Sequence, residues 1–145
     1  MTERRKAQFR LLLRLALIVT LCFIWGNSVL GKEESASISG GITAWLRSIG
    51  IPVTDHFVRK TGHFCEFSLL GCEVTLLFWL RSGASLQNRC NAAFAALLTA
   101  VTDESIQIFS GRGSRVQDVV LDFCGALTGI LFMSLVIRRI EKRKS

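Results

Sequence analysis

The sequence of 145 residues has no tyrosine, a single proline and no pair of cysteines at the Cys-x-x-Cys spacing. Its five cysteines are scattered through apolar runs, where cysteine behaves as a small hydrophobic residue, so they are interpreted as structural. The sequence also lacks the Cys/His spacing of a metal site, a serine-nucleophile motif and a glycine-rich phosphate loop. It therefore predicts no cofactor and no metal, and it favours a protein that is not an enzyme.

Hydrophobic residues are abundant by comparison. When glycine is counted with them, about 58% of the chain is apolar, whereas soluble domains have about 45–50%. The formal net charge is +7, but ten of the 18 basic residues lie in the first 14 and the last eight positions, on either side of the apolar runs. Cations of membrane proteins are distributed in this way. Membrane lipids are therefore expected as partners, and nucleic acid is not.

Four apolar stretches are long enough to cross a bilayer. We predict a single domain over residues 1–145 with an all-α fold, in which four transmembrane helices form a bundle. A short amphipathic helix in the outer loop 31–62 lies on the membrane surface or over the mouth of the bundle. Residues 1–30 resemble a secretory signal but have no clear cleavage site, which favours a retained first span. The predicted spans are 11–30, 63–80, 90–109 and 116–137.

The loops differ in positive charge. Four spans place both termini on one side together with the loop between the second and third spans, and that side holds twelve basic residues against six on the other. Because basic loops stay in the cytoplasm, both termini are predicted to be cytoplasmic. The sequence assigns no oligomeric state.

A helix rises about 1.5 Å per residue, so the depth of each residue can be counted from the outer end of its predicted span. This count places most of the polar residues inside the spans in the outer half of the membrane. At about 100° per residue they form one polar stripe on each of the last three spans, and these stripes should meet inside the bundle, away from lipid. Gly125-x-x-x-Gly129 continues one stripe as a surface for close helix packing. The predicted polar cluster consists of Arg59, Lys60, His63, Glu66, Asp103, Glu104, Gln107, Arg112, Arg115, Asp118 and Asp122.

Two segments resemble the motifs of the VanZ-like membrane proteins, whose namesake is associated with resistance to the glycopeptide teicoplanin. They are Arg59-Lys60-Thr61-Gly62-His63-Phe64-Cys65-Glu66-Phe67, and Asp103-Glu104-x-x-Gln107-x-Phe109 followed by Arg112, Asp118, Asp122 and Gly125. Family members often have Pro-Gly-Arg where this chain has Ser110-Gly111-Arg112, and some have Asn at the position of Asp122. The resemblance covers the whole chain. It implies a multi-pass protein of the bacterial cell membrane with a role in the cell envelope and in lowered teicoplanin susceptibility.

Several interpretations of the polar cluster remain open. In the first, it is a structural ion network that holds the spans together. In the second, it is an outward-facing site for an anionic group of a lipid, a lipid-linked cell-wall precursor or a glycopeptide, to which arginine donates paired hydrogen bonds. Alternatively, it is the active site of an outer-leaflet enzyme with His63 or Asp103 as general base and Arg112 stabilising negative charge. Ion movement through Glu73 is a further alternative.

Overall fold

A computed structural model describes residues 3–113 and 115–143 of the chain. Ser114 of the predicted outer loop and Lys144 of the basic tail lie outside these residues. The described part is helical and contains no strand, so the predicted all-α fold is confirmed. Five helices follow one another along the chain: α1 (Glu3–Val29), α2 (Lys32–Ser48), α3 (Asp55–Ser82), α4 (Leu86–Phe109) and α5 (Val116–Lys142).

Four of these helices, α1, α3, α4 and α5, are long and apolar enough to cross a membrane, so the chain is a multi-pass membrane protein. They extend beyond the predicted spans, since α1 begins at Glu3 and α3 begins at Asp55 rather than at His63. Hydropathy detects only the apolar part of a helix, whereas arginine and lysine are themselves good helix formers. As a result, Arg59 and Lys60 lie in α3 and not in a loop.

The helix ends are defined by local hydrogen bonds. The Thr54 hydroxyl accepts a hydrogen bond from the Phe57 backbone N–H at the start of α3, and the Ser85 hydroxyl accepts one from the Asn88 N–H at the start of α4. Between these helices Gly83 has a φ of 78°, in the left-handed region that favours glycine. The short turn makes α3 and α4 antiparallel neighbours.

Helix α2 presents different surfaces to the protein and to its surroundings. Its small polar side chains Ser35, Ser39 and Thr43 are buried, whereas Ile42 and Trp45 are exposed. This helix packs against α3. The predicted amphipathic helix between the first two spans is therefore present, and its large apolar side chains are mostly exposed rather than packed in the core.

The closest helix pair is α3 with α5, and glycine makes the approach possible. A Cβ atom placed on Gly125 would meet the Phe64 carbonyl of α3, and one placed on Gly129 would collide with the Ser68 carbonyl one turn further along. The Ser68 hydroxyl donates a hydrogen bond of 2.9 Å to the Gly125 carbonyl across this contact. The sequence prediction that these two glycines form a packing surface agrees with this arrangement, which fixes α5 against α3 below the polar cluster.

Candidate functional site

A polar pocket of about 290 Å³ lies at one end of the bundle, where α3 and α5 begin and α4 ends. The α4–α5 loop forms part of its wall. We call this cavity the polar pocket. Twelve residues line it: His56, Arg59, Lys60, His63, Glu104, Gln107, Arg112, Gly113, Arg115, Asp118, Leu121 and Asp122.

Four cationic side chains line the pocket, from α3 and from the α4–α5 loop. Lys60 forms an ion pair of 2.9 Å with Asp118 of α5, and both side chains are about one third exposed. Arg112 is buried, with 7% of its surface exposed, and its Nη1 donates a hydrogen bond of 3.0 Å to the Asn27 carbonyl at the end of α1. Arg59 and Arg115 complete the set.

The charge of Arg112 is set by opposing effects. Burial lowers the pKa of its guanidinium from the ordinary value, and the positive charge of Arg59 lowers this pKa further. The carboxylates of Asp103, Glu104 and Glu66 raise it. Because an arginine in a protein retains its proton, Arg112 brings a full positive charge into a largely buried position.

Glu104 connects α4 to the loop that follows it. One of its carboxylate oxygens accepts a hydrogen bond of 3.1 Å from the Gln107 side-chain amide, and the other accepts one of 3.2 Å from the Arg115 backbone N–H. The second bond satisfies a backbone donor just before α5 begins. Glu104 therefore holds the loop that carries Arg112 and Arg115 in place.

Asp103 lies behind the pocket wall and is fully buried. The Ser28 hydroxyl of α1 donates a hydrogen bond of 2.5 Å to Oδ1, and the Gln107 amide donates one of 2.9 Å to Oδ2. The Ser110 hydroxyl donates to the Ser28 carbonyl at 2.9 Å, which adds a second contact between α1 and the end of α4. These bonds fix the position and orientation of the Asp103 carboxylate.

His63 of α3 lies between two carboxylates from different helices. Its Nδ1 is 3.9 Å from Asp103 Oδ2 and 3.7 Å from Asp122 Oδ1, distances longer than a hydrogen bond. Among the described residues, His63 Nδ1 and both carboxylate oxygens of Asp122 have no hydrogen-bond partner, and all three atoms are buried. One ligand atom from each of the three residues lies within 4.8 Å of the others, so together they could hold a metal ion.

Most of the predicted polar cluster is brought together, but two of its members lie outside the pocket lining. Asp103 lies behind the wall, and Glu66 borders a second cavity of about 350 Å³ between α1, α2 and α3. Arg59 and His63 line both cavities, so Glu66 lies beside the polar pocket without being part of its lining. Glu73 is further along α3 and accepts a hydrogen bond of 3.1 Å from the Thr20 hydroxyl of α1.

Three polar residues at the site were not predicted from the sequence. Asn27 and Ser28 at the end of α1 hold Arg112 and Asp103, and His56 lines the pocket from the start of α3. The sequence does offer a signal for the first two, because Asn27-Ser28 is a polar pair near the outer end of an otherwise apolar span. Polar side chains at such positions find partners inside the bundle.

Comparison with known proteins agrees with the resemblance seen in the sequence motifs. A family model described as VanZ/LLP1 matches residues 9–137, which include all five helices in whole or in large part. No curated protein and no solved structure is significantly similar to the chain.

Proposed function

The chain belongs to the VanZ/LLP1 family, and from this premise we propose that the polar pocket binds the anionic headgroup of a lipid or a lipid-linked cell-wall precursor. The binding occurs on the outer side of the bacterial cell membrane. The chemistry that fits is a phosphate or pyrophosphate group on a hydrocarbon anchor, with the anchor remaining in the bilayer beside the helices.

The observation that carries this proposal is the set of four cations around one cavity at a helix-bundle end. Arginine recognises phosphate through two parallel N–H donors of its planar guanidinium. Arg112 uses one donor atom on the Asn27 carbonyl, and a guanidinium has five N–H groups. It therefore has donors available for an anion while its position is fixed by α1.

Two of the three acidic residues that line the pocket do not oppose an anionic ligand, and the third, Asp122, is almost fully buried beside His63. Asp118 is already paired with Lys60, and Glu104 accepts hydrogen bonds from Gln107 and from the backbone of Arg115. These two carboxylates hold the basic elements of the pocket rather than opposing the ligand with unpaired charge. A site that binds an anion needs such partners, because they orient the donors before the ligand arrives.

We infer that the pocket faces the outer side of the membrane from the positive-inside rule. The two ends of the bundle differ in their basic residues, with twelve on the side of both termini and six on the side of the pocket. Cytoplasmic termini therefore place the pocket at the outer face. A lipid-linked precursor that has been moved to the outer leaflet would reach it by lateral diffusion.

The direct test uses two ligands with the same hydrocarbon chain, one with a pyrophosphate headgroup and one with a hydroxyl. Binding of a polyprenyl pyrophosphate and of the uncharged polyprenol of the same length would be measured to detergent-purified protein. We expect the pyrophosphate to bind and the alcohol to bind at least about tenfold more weakly, because hydrogen bonds to charged groups contribute about 1.5–3 kcal/mol each. Equal binding of the two ligands would contradict the proposal.

The variant Arg112→Lys keeps the charge but loses the paired donors, so we expect it to weaken pyrophosphate binding by about tenfold. Arg81→Ala is the matched control, since Arg81 is an exposed arginine at the opposite end of α3. Unchanged affinity of the Arg112→Lys protein, with an unchanged melting temperature, would exclude the guanidinium as a ligand-binding group.

We further propose that occupation of this pocket lowers the susceptibility of the cell to the glycopeptide teicoplanin. In a Gram-positive host, expression of the chain should raise the teicoplanin concentration needed to stop growth. Arg112→Ala and Asp103→Asn, expressed at equal levels, should remove that effect. If both variants protect as well as the unaltered chain does, the pocket has no part in susceptibility.

A further inference from the structure

We propose that His63, Asp103 and Asp122 form a binding site for a divalent transition-metal ion such as Zn²⁺ or Mn²⁺, located at the floor of the polar pocket. The sequence predicted no metal, because no second histidine lies near His63. The structure provides the missing ligands from two other helices, since Asp103 comes from α4 and Asp122 from α5. This inference concerns the cation alone and does not depend on the identity of the anionic ligand.

The distances between the three side chains favour a shared ion over direct contact. His63 Nδ1 is 3.7 Å and 3.9 Å from the two carboxylate oxygens, too far for hydrogen bonds. Ligand atoms that share a tetrahedral zinc at bond lengths of about 2.0–2.1 Å are about 3.4 Å apart. The two distances from His63 are therefore only a few tenths of an ångström longer than in such a site, and all three residues have ligand atoms within 4.8 Å of one another.

Unsatisfied polar atoms are a second and separate observation. Asp122 is 1% exposed, and within the described part of the chain neither of its oxygens has a hydrogen-bond partner. The same holds for Nδ1 of His63, which is 8% exposed. A buried carboxylate with no partner is costly in free energy, so groups of this kind are normally paired or coordinate a metal. The unpartnered atoms of both residues are the ones that face each other across 3.7 Å.

The surroundings of Asp103 resemble the support that protein metal sites give to their ligands. Ser28 donates to one oxygen of this carboxylate and Gln107 donates to the other, which holds the group in one orientation. Hydrogen bonds of this kind from residues behind the ligands typically raise metal affinity by about 10–100-fold. Helix α1 therefore contributes to the site through Ser28.

Charge and access also fit a divalent ion. Two carboxylates and a neutral imidazole sum to two negative charges, which one divalent cation neutralises. A site with three protein ligands keeps at least one position open for another ligand. Because His63 and Asp122 line the polar pocket, that position would face the cavity, where an oxygen of a bound phosphate could occupy it. The ion would also add positive charge to the anion site proposed above.

Metal content can be measured without any lipid ligand. Protein purified in detergent would be stripped with a chelator, incubated with Zn²⁺ or Mn²⁺, desalted and analysed by elemental mass spectrometry. We expect about one ion per chain, and a higher melting temperature with the ion than with chelator, because a ligand that binds the folded state stabilises it. If neither Zn²⁺ nor Mn²⁺ remains bound and neither ion changes the melting temperature, the proposal is overturned.

Variants test the identity of the ligands. His63→Gln and Asp122→Asn should each reduce bound metal by at least tenfold and remove the cation-dependent rise in melting temperature. Asp118→Asn is the matched control, since Asp118 lies one turn earlier on α5, is paired with Lys60 and should leave metal content unchanged. A folded His63→Gln protein that holds as much metal as the unaltered chain would place the ion elsewhere. If neither ligand variant folds, Ser28→Ala provides the test, with an expected loss of about tenfold in metal affinity.

Discussion

Individual hydrogen bonds decide how α1 joins the site. The Ser28 hydroxyl donates to a carboxylate of Asp103 that has no exposed surface. Deleting a donor to a buried charged group costs more than deleting one at the surface, because the acceptor keeps its desolvation cost and loses its partner. This bond is thus an important contact between the first span and the rest of the bundle.

Ser28→Ala should lower the free energy of unfolding by about 1–3 kcal/mol. Its matched control is Ser105→Ala on α4, because the Ser105 hydroxyl is exposed and donates only to the Val101 carbonyl of its own helix. Denaturant or thermal unfolding in the same detergent measures both. If the two variants are equally stable, the Ser28 bond does not stabilise the protein.

At this scale the sequence predicted that the polar residues face inward and collect in one cluster, but not the individual contacts within that cluster. Helical periodicity placed Asp103 and Asp122 on the inner faces of their helices and the rise per residue placed them in the same half of the membrane, yet neither gives the relative heights of two packed helices to within the length of a contact. The meeting of these two carboxylates with His63 depends on those heights and therefore became visible only in the structure. Asn27 and Ser28 were missed because two adjacent residues form no periodic stripe.

Among the helices, the contact between α3 and α5 depends on the absence of side chains at two positions of α5. A Cβ at Gly129 would overlap the Ser68 carbonyl and come close to the Cys72 backbone N–H. Backbone atoms on a packed helix cannot move aside as a flexible side chain can. The small residues therefore set the distance between the two helices, as they do in other membrane proteins.

Gly129→Ala should destabilise the bundle and separate α3 from α5 at this level, whereas Gly26→Ala in α1 should have no destabilising effect. Nothing lies within 4 Å of a Cβ placed on Gly26, and alanine is the better helix former by about 1 kcal/mol. Unfolding curves of the two single variants, measured in the same detergent, give the stability of each. A Gly129→Ala protein as stable as the Gly26→Ala protein would contradict the close approach.

At the level of elements, the sequence predicted all four long helices and the helix between the first two, because hydropathy and periodicity act over many residues. It predicted their ends less well. Helix α3 extends through Arg59 and Lys60 because Thr54 caps it and these two residues are themselves good helix formers, features that a search for apolar runs does not detect. The practical result is that two pocket cations are carried by a helix, not by a mobile loop.

For the molecule as a whole, binding of an outer-leaflet ligand requires that the pocket faces the outer side of the membrane. The ends of the five helices place the α2–α3 segment beside the pocket and the α3–α4 turn at the opposite end of the bundle. Cysteine labelling of two exposed positions, Ser48 and Ala84, can distinguish the sides.

In a chain whose native cysteines are replaced by alanine, Ser48→Cys should react with a membrane-impermeant maleimide added to intact cells. Ala84→Cys should react only after the membrane is permeabilised. This order follows from cytoplasmic termini, which the excess of basic residues on their side favours. The reverse order of labelling would place the pocket at the cytoplasmic face and exclude a ligand of the outer leaflet.

The central claim is that the polar pocket holds an anionic headgroup among its cations. A structure determined by electron microscopy with a polyprenyl pyrophosphate bound tests this claim most directly. The account predicts density for the pyrophosphate within the pocket, with its oxygens within about 2.7–2.9 Å of guanidinium nitrogens of Arg112 and of Arg59 or Arg115. Density for the ligand at another surface, with this pocket unchanged, would contradict it.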